Sequence, residues 1–295
     1  MSRDVVDNYH ARMRRALVFI DAHLDGDLSL TAVSEAAAFS HHHFQRQFSA
    51  LFGISLGRYV QLKRLKRAAY RLAFRDGHSV LEIALDSGFE GPEAFSRAFR
   101  RHFDQSPSGF RKTPRWEPWR AAQTPLTQAR SQTMTQTFTP ADVRIVDFPA
   151  TPVAVLRHDG GGDQIDDAVR RFIAWRRAAG LPPRLSATFN IFHPDPEGEG
   201  SAPVRIDLCA ATTRPVAPNE TGVFADVIPA GHCAVLRQIG DSDDLSVAAN
   251  WLYGQWLPQS GQDTRDFPLF AQRVVFFPDV PEHEAVTDLF LPLRA

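Results

Sequence analysis

The sequence predicts two domains of different class. An all-α double helix-turn-helix domain, made by duplicating a helix-corner-helix unit, precedes an α+β domain built from a duplicated strand-helix-strand-strand module. Three observations carry this. The pattern F-x-R-x-F-x-x-x-F is written twice, as "FQRQFSALF" at 44–52 and "FSRAFRRHF" at 95–103. "AVLR" recurs at 154–157 and 234–237. The charge also changes sign along the chain: residues 1–120 hold 19 Lys and Arg against 13 Asp and Glu, and residues 121–295 hold 14 against 21. Self-similarity of this kind marks repeated structural units, and a basic half beside an acidic one points the first at a polyanion.

In the first half, Tyr9, Met13, Ala16, Leu17, Ile20 and Leu24 fall on one helical stripe. "DGDLSL" supplies a turn and a cap, and Leu28, Leu30, Val33 and Ala37 outline a short helix. "AFS" makes a tight corner, with Ser40 as the expected N-cap of "HHHFQRQFSALF", which Gly53 ends. Residues 55–75 read as a long helix. Its apolar stripe includes Leu56, Tyr59, Leu62, Leu65, Ala69 and Leu72, and its basic face carries Lys63, Arg64, Lys66, Arg67 and Arg71. "RDGHS" breaks it and the plan recurs: "SVLEIALDS" as a short helix, "GFEGP" as a corner, "EAFSRAFRRHF" as a second basic helix, "SPSGFRK" as the close. Superposition puts Phe39 on Phe89, Phe44 on Phe95, Arg46 on Arg97, Phe48 on Phe99 and Phe52 on Phe103; Ser55 falls on Ser106 and Tyr59 on Phe110.

Helical geometry explains the motif. At about 100° per residue, Phe at positions 1, 5 and 9 lies within a stripe of about 80°, while position 3 sits about 200° from the first Phe. Arg46 and Arg97 therefore point away from the core. His42, Ser49 and Ala50 share the outer face of the first copy, with His43 at its edge; Glu93, Arg100 and Arg101 share that of the second. A helix held by aromatics behind and offering Arg in front suits the major groove, where Arg is the commonest bidentate partner of guanine. The connecting helix, of about 20 residues, spans about 30 Å, close to the roughly 34 Å repeat of B-DNA. One chain can thus set two helices into successive groove segments.

Residues 9–112 resemble the DNA-binding domain of AraC/XylS-type transcription regulators. The resemblance rests on "SLTAVSEAAAFSHHHFQRQFSALFGISLGRYVQLKRLKRA" and on "SVLEIALDSGFEGPEAFSRAFRRHFDQSPSGFR", which holds I-A-x-x-x-G-F, F-x-R-x-F and P-x-x-F-R in order. It implies that His42, Gln45 and Arg46, and Pro92, Glu93 and Arg97, face bases. The DNA-facing candidates are accordingly His42, His43, Gln45, Arg46 and Ser49 in one copy, and Glu93, Ser96, Arg97, Arg100 and Arg101 in the other. Proline offers no donor and Glu repels phosphate, so the first copy is expected to specify and the second mainly to hold.

Residues 113–140, rich in Pro, Thr and Gln, read as a linker, partly ordered by Trp116 and Trp119, between a domain over 1–112 and one over 141–295. In the latter, "FPATPVAVLR" at 148–157 matches "IPAGHCAVLR" at 228–237. Each copy continues into a polar loop and a helix, over 165–179 around Val169, Phe172 and Trp175, or 244–257 around Val247, Trp251 and Trp256. Strand patterns follow at 185–193 and 203–212, then 269–277 and 285–293. Two such modules in one antiparallel sheet leave a concave seam, a common place for small molecules. Residues 142–294 resemble the GyrI-like effector-binding domain, best in "WLYGQWLPQSG" and "RVVFFPDVPEHEAVTDLFLPL". The whole domain order resembles the Rob-type branch of the AraC family. Members of the GyrI-like family often carry a ligand-holding carboxylate six residues before the strand-ending Pro278; it is Gln272 here, and the aromatic usual two residues later is Val274. Neutral or otherwise charged ligands therefore stand beside organic cations. Phe189, Ile191, Trp251, Tyr253, Trp256, Gln272 and Phe276 are the candidates to line the seam.

Other chemistry is set aside. "GISLG" at 53–57 lies between two helices, whereas a nucleophile elbow joins strand to helix, so Ser55 reads as an N-cap. "HHH" at 41–43 lacks carboxylate or Cys partners at ligand spacing, and "DGGGDQ" at 159–164 lacks the G-K-[ST] of a phosphate loop. Cys209 and Cys233 form neither a zinc nor a disulfide pattern. No apolar run approaches about 18 residues and the N-terminus has no signal-like apolar stretch, so a cytoplasmic protein is expected. The reading is a regulator with promoter DNA, a small-molecule effector and RNA polymerase as partners, without membrane, cofactor, metal or catalytic residues. Two competitors concern the second half: a small-molecule hydrolase, which needs a positioned carboxylate or His, and a protein-binding antagonist, which needs an exposed apolar patch.

Overall fold

The computed structural model describes residues 3–26, 28–133, 138–160, 165–194, 205–240 and 245–294, with side chains from residue 8 onward and none over 130–133. The chain divides into two compact units, 1–136 and 137–295.

The first unit is helical: α1 (Arg3–Ala22), α2 (Leu30–Ala36), α3 (His41–Phe52), α4 (Leu56–Phe74), α5 (Val80–Asp86), α6 (Pro92–Phe103), α7 (Pro107–Lys112) and α8 (Trp116–Thr133). The duplication reaches further back than the Phe motif. Met13, Ala16, Leu17 and Ile20 on α1 are fully buried, and so are Leu65, Ala68, Ala69 and Leu72 on α4, the same spacing carried forward by 52 residues. The repeated unit is therefore three helices, α1–α2–α3 and α4–α5–α6, and α4 does for the second copy what α1 does for the first. Each copy packs the same ladder of rings. Phe39–Phe44, Phe44–Phe48 and Phe48–Phe52 stand 5.6, 5.7 and 4.6 Å apart. Phe89–Phe95, Phe95–Phe99 and Phe99–Phe103 stand 5.2, 5.4 and 4.6 Å apart. Tyr59 closes the first ladder on Phe48 and Phe110 the second on Phe99. Such offset and edge contacts fix ring orientation as well as bury area.

Equivalent arginines of α1 and α4 each brace a turn. Arg12 Nε donates to Ala37 O at 3.4 Å while its guanidinium lies 3.9 Å from the centre of the Phe39 ring. Arg64 Nε donates to Leu24 O at 2.7 Å and Nη2 to Gly26 O at 3.2 Å, beside Gly88. Ser55, Ser79 and Ser106 cap α4, α5 and α7 through their hydroxyls, with Glu82 completing a capping box at α5.

Three expectations are corrected here. Ser40 holds the N-cap position of α3 but makes no side-chain cap. The basic face of α4 is largely internal: Lys63, Lys66 and Arg67 are buried. Lys63 Nζ lies 2.9 Å from the equally buried Asp21 Oδ1, Arg67 bonds to Asp86 O, and Arg71 pairs with Asp86 at 2.9 Å. The 2.9 Å approach of Lys63 pairs the charges without the alignment of a hydrogen bond. Lys63 ties α4 to α1 across the two copies, whereas Arg67 and Arg71 tie α4 to α5 within the second. Finally, most of the segment read as a linker is α8. Leu126 and Ala129 of that helix join the core of the first copy, and Trp119 and Trp116 pack on Tyr70 and Phe110 at 5.4 and 5.2 Å.

The second unit is an eight-stranded antiparallel sheet with helices on one face. Its elements are β1 (Val143–Phe148), β2 (Thr151–Asp159), α9 (Ile165–Ala178), β3 (Thr188–His193), β4 (Arg205–Ala211), β5 (Phe224–Ile228), β6 (Gly231–Ile239), α10 (Leu245–Trp251), β7 (Phe270–Val275) and β8 (Val286–Pro292). The spatial order is β1-β6-β8-β7-β3-β4-β2-β5. Exchanging each strand for the one four later reads the same order backwards, so the two modules meet at the β3–β7 pairing. Each module also has a leading strand that the sequence reading did not separate, and the two are exchanged: β1 pairs with β6 and β5 with β2. Alternate residues face opposite ways. Ala154, Leu156, Ile206 and Leu208 cluster with α9. Ala234, Leu236, Ala271 and Leu289 cluster with α10. Val153, Val155, Phe189, Ile191, Cys209, Val235, Phe270 and Phe290 form a third cluster on the helix-free face. After α10 the chain makes a π-helical turn, Leu252–Trp256, and a short α11 (Leu257–Ser260) that ends on Gly261 at φ 68°.

Candidate nucleic-acid interface and candidate ligand seam

The ring ladders leave one face of α3 and one of α6 to solvent. On α3, His42, His43, Gln45 and Arg46 are exposed and Ser49 is partly so; on α6, Glu93, Arg97, Arg100 and Arg101 are exposed and Ser96 is partly so. Each helix thus brings its candidates onto a single accessible surface. Pro92 is the first residue of α6, whose N-cap, Gly91, offers no side chain. The entry to α3 carries three imidazoles instead, with His41 Nδ1 at 3.4 Å from Thr31 Oγ1. At the other end of α6, His102 Nε2 donates to Gln61 Oε1 on α4 at 3.0 Å. Burial, then Arg58 and Arg101, holds the His102 pKa below its ordinary value.

In the second unit the structure separates the seam candidates. Phe189 and Gln272 are direct partners across the β3–β7 pairing, and Ile191 faces the same way as Phe189. Trp256 and Trp251 belong to the cluster under α10 on the opposite face, and Tyr253 is exposed beside them. Alternation decides this: Ala271, next to Gln272, is the residue that meets the helix layer. Phe276 lies beyond β7. The middle of the seam is filled by aromatic rings. Phe148, which ends β1, stands 6.0 Å from Phe189, 5.0 Å from Phe270 and 5.4 Å from Phe290, and Phe270 stacks on Phe290 at 4.8 Å. Of the "DGGGDQ" turn, residues 161–164 lie outside the described residues.

The sequence reading missed a polar set on the same helix-free face. Arg157 and Asp207 are direct partners between β2 and β4, and Arg237 and Asp288 are their equivalents between β6 and β8. The second pair is bidentate, 2.7 Å at both contacts. In the first, Asp207 Oδ1 is 3.4 Å from Arg157 Nε and 3.7 Å from Arg205 Nε, and Oδ2 is 2.8 Å from His193 Nε2. Burial lowers the pKa of His193 against the opposing pull of Asp207, and Arg205 Nη2 lies 2.6 Å from its Nδ1 and 2.8 Å from its Nε2. The signal lay in the repeat: the Arg of "AVLR" recurs, and so does the Asp of "IDL" and "TDL".

Among known families, one described as the GyrI-like small molecule binding domain matches residues 141–294, and one described as a helix-turn-helix domain matches 11–113. The probable transcriptional regulator YgiV of Escherichia coli (strain K12) is 34% identical over 153 residues, which cover 52% of this chain and 96% of that protein. The regulatory protein SoxS of Salmonella typhimurium (strain LT2) is 34% identical over 103 residues, 35% of this chain and 95% of that one. The right origin-binding protein of Escherichia coli (strain K12) is 36% identical over 104 residues, 35% and 36% of the respective chains. The chain therefore belongs to the GyrI-like small molecule binding domain family through residues 141–294 and joins that domain to an AraC-type helix-turn-helix domain over 11–113, the architecture of a DNA-binding transcription regulator.

Proposed function

We propose that the protein is a one-component, cytoplasmic regulator that reads promoter DNA through α3 and α6 and binds a small-molecule effector in its second unit. The effector changes promoter occupancy or contact with RNA polymerase, and no catalytic step belongs to this reading. One observation carries it: two helices anchored by the same ring ladder each present Arg at the position opposite the core, Arg46 and Arg97, both exposed. A major-groove helix needs that combination of a fixed back and a donor-bearing front. Helix α4 has 19 residues and so spans about 28 Å, suited to holding two such helices near successive groove segments. Sequence reading falls mainly to α3, because His42, His43, Gln45 and Arg46 all offer donors, whereas α6 begins with Pro92 and Glu93. Arg100 and Arg101 suit α6 to phosphate contact.

The test is selection of bound fragments from the source genome, followed by Arg46→Ala on the recovered operator. The variant should lose about 1–3 kcal/mol and relax preference at one base position, while Arg97→Ala should relax it less. Equal loss of affinity on every DNA sequence would refute the base-reading role of Arg46.

A further inference from the structure

We propose that the polar set at the β2–β4–β3 end of the helix-free face is a binding site for an organic anion, a carboxylate carried on an apolar body. The proposal rests on the small-molecule reading of the second unit and adds the sign of the ligand's charge.

The duplication supplies an internal control. In both modules an Arg–Asp pair closes the same register position, Arg157 with Asp207 and Arg237 with Asp288. The second module matches one guanidinium to one carboxylate, with Gln272 opposite Asp288 and Arg144 opposite Val235 where the first module has Ile191 and Phe224. Ile239 stands opposite Val286, and Val275 opposite Val286. At the corresponding places the first module has Asp159 opposite Arg205 and His193 opposite Arg205. These extra polar groups are not required by the fold, since the other copy builds the same strands without them.

The first set is also short of acceptors. Asp207, with a side chain 5% exposed, is shared by His193, Arg157 and Arg205. Its contacts with the two guanidinium groups are 3.4 and 3.7 Å, long beside the 2.7 Å contacts of the matched pair. Two guanidinium groups carry ten N–H donors in all, less those bound here. The side chains of Arg157 and Arg205 remain 44% and 31% exposed, so a ligand can reach them. Asp159 makes no ion pair among the described contacts and would compete with the ligand for Arg205. Asp226, opposite Val153, is a further carboxylate on this face, as Asp288 is in the other module. The apolar side of the site is given by Phe224, whose ring lies 5.3 Å from the Arg157 guanidinium, and by Ile191, the partner of Asp207 on β3. Planar guanidinium groups over such a floor favour a carboxylate on a ring or chain over a free inorganic ion.

The experiment titrates the full chain by calorimetry with three probes of one shape: 1-naphthoate, neutral 1-naphthamide and cationic 1-naphthylmethylammonium. Naphthoate should bind about tenfold or more tighter than the amide, the usual worth of a charge-assisted contact. Arg157→Gln and Arg205→Gln, each checked for an unchanged thermal transition, should each reduce that preference severalfold. Arg237→Gln, the same change in the other copy, should leave it, and Asp159→Asn should tighten naphthoate. Equal binding of naphthoate and amide, or preference for the cation, would overturn the anion site while leaving the small-molecule reading intact. A preference that survives both Arg157→Gln and Arg205→Gln would place the anion elsewhere, for instance on the basic unit, and overturn it too. If none of the three probes binds, the small-molecule reading falls and the site with it.

Discussion

Ala38 and Gly88 occupy the same corner of the two helix-turn-helix copies, and the backbone asks the same of both. Their φ angles are 55° and 74°, the left-handed region in which a Cβ is crowded. Only the second copy meets the demand with glycine. A Cβ at Gly88 would also fall 2.7 Å from Arg64 Cζ and 2.8 Å from Leu24 O. Gly88→Ala should therefore cost about 2 kcal/mol or more, combining strain with displacement of the Arg64 brace. Ala38→Gly should do the reverse. Relief of the left-handed penalty, less the entropy glycine adds to the unfolded chain, leaves a gain of about 0.5 kcal/mol. Denaturant midpoints of the two variants against the parent chain measure both, and a destabilised Ala38→Gly would show that Arg12 holds the corner by contacts that need the methyl group. The exposed residues proposed to face DNA differ in kind from these. The outward placement of Arg46 and Arg97 was legible at once, because a fixed Phe spacing fixes where position 3 points. The ion pair of Lys63 with Asp21 was not: in sequence a lysine on a helix face reads the same whether water or a buried aspartate meets it.

Helix α6 is tied to α4 by one titrating contact. His102 Nε2–H donates to Gln61 Oε1, with Arg58 Nη1 3.4 Å from the same nitrogen. Burial and the two arginines depress its pKa below the ordinary 6.5. The folded state then binds fewer protons than the unfolded one as pH falls through that value, so stability is full above it and declines below. The thermal midpoint should drop between about pH 7.5 and pH 5.5, and His102→Gln should flatten that drop. An unaltered pH profile in the variant would assign acid sensitivity to another group. At this scale most elements were readable, since each was set by local chemistry: the period of apolar residues, a Ser at the N-cap, a Gly at the end. The exceptions share a cause. Strands β1 and β5 are short and pair with the other module, so nothing near them in sequence announces the partner. Helix α8 carries Pro125 and a weakly periodic stripe, and it is held by Trp116 and Trp119 against rings far back in the chain. The seam candidates divide between two faces for a related reason. Aromatic residues on a helix and on a strand look alike in sequence, yet Trp256 and Phe189 lie on opposite faces of the sheet.

For the whole molecule, the net charge of a half is a poor guide to the charge it shows. Of the cations counted in residues 1–120, Lys63, Lys66 and Arg67 are buried, and Arg64 spends its donors on Leu24 and Gly26. The electrostatic footprint on DNA should come from the outer faces, chiefly Arg46, Arg97, Arg100 and Arg101. Each phosphate neutralised contributes about 0.9 to the slope of log K against log salt, so four to six contacts give a slope near −4 to −5. A slope set by every Lys and Arg in the half would be several times steeper. Two substitutions separate these cases. Arg100→Gln, on the exposed face of α6, should reduce the slope by about 1 while leaving stability unchanged. Arg64→Gln should lower the denaturant midpoint, because the Leu24 and Gly26 carbonyls lose their donor, yet leave the slope of the folded protein where it was. Affinity measured by fluorescence anisotropy across a salt series gives both slopes. If Arg64→Gln changed the slope as much as Arg100→Gln, α4 would have to face DNA, and the brace between the two copies would no longer account for its arginine.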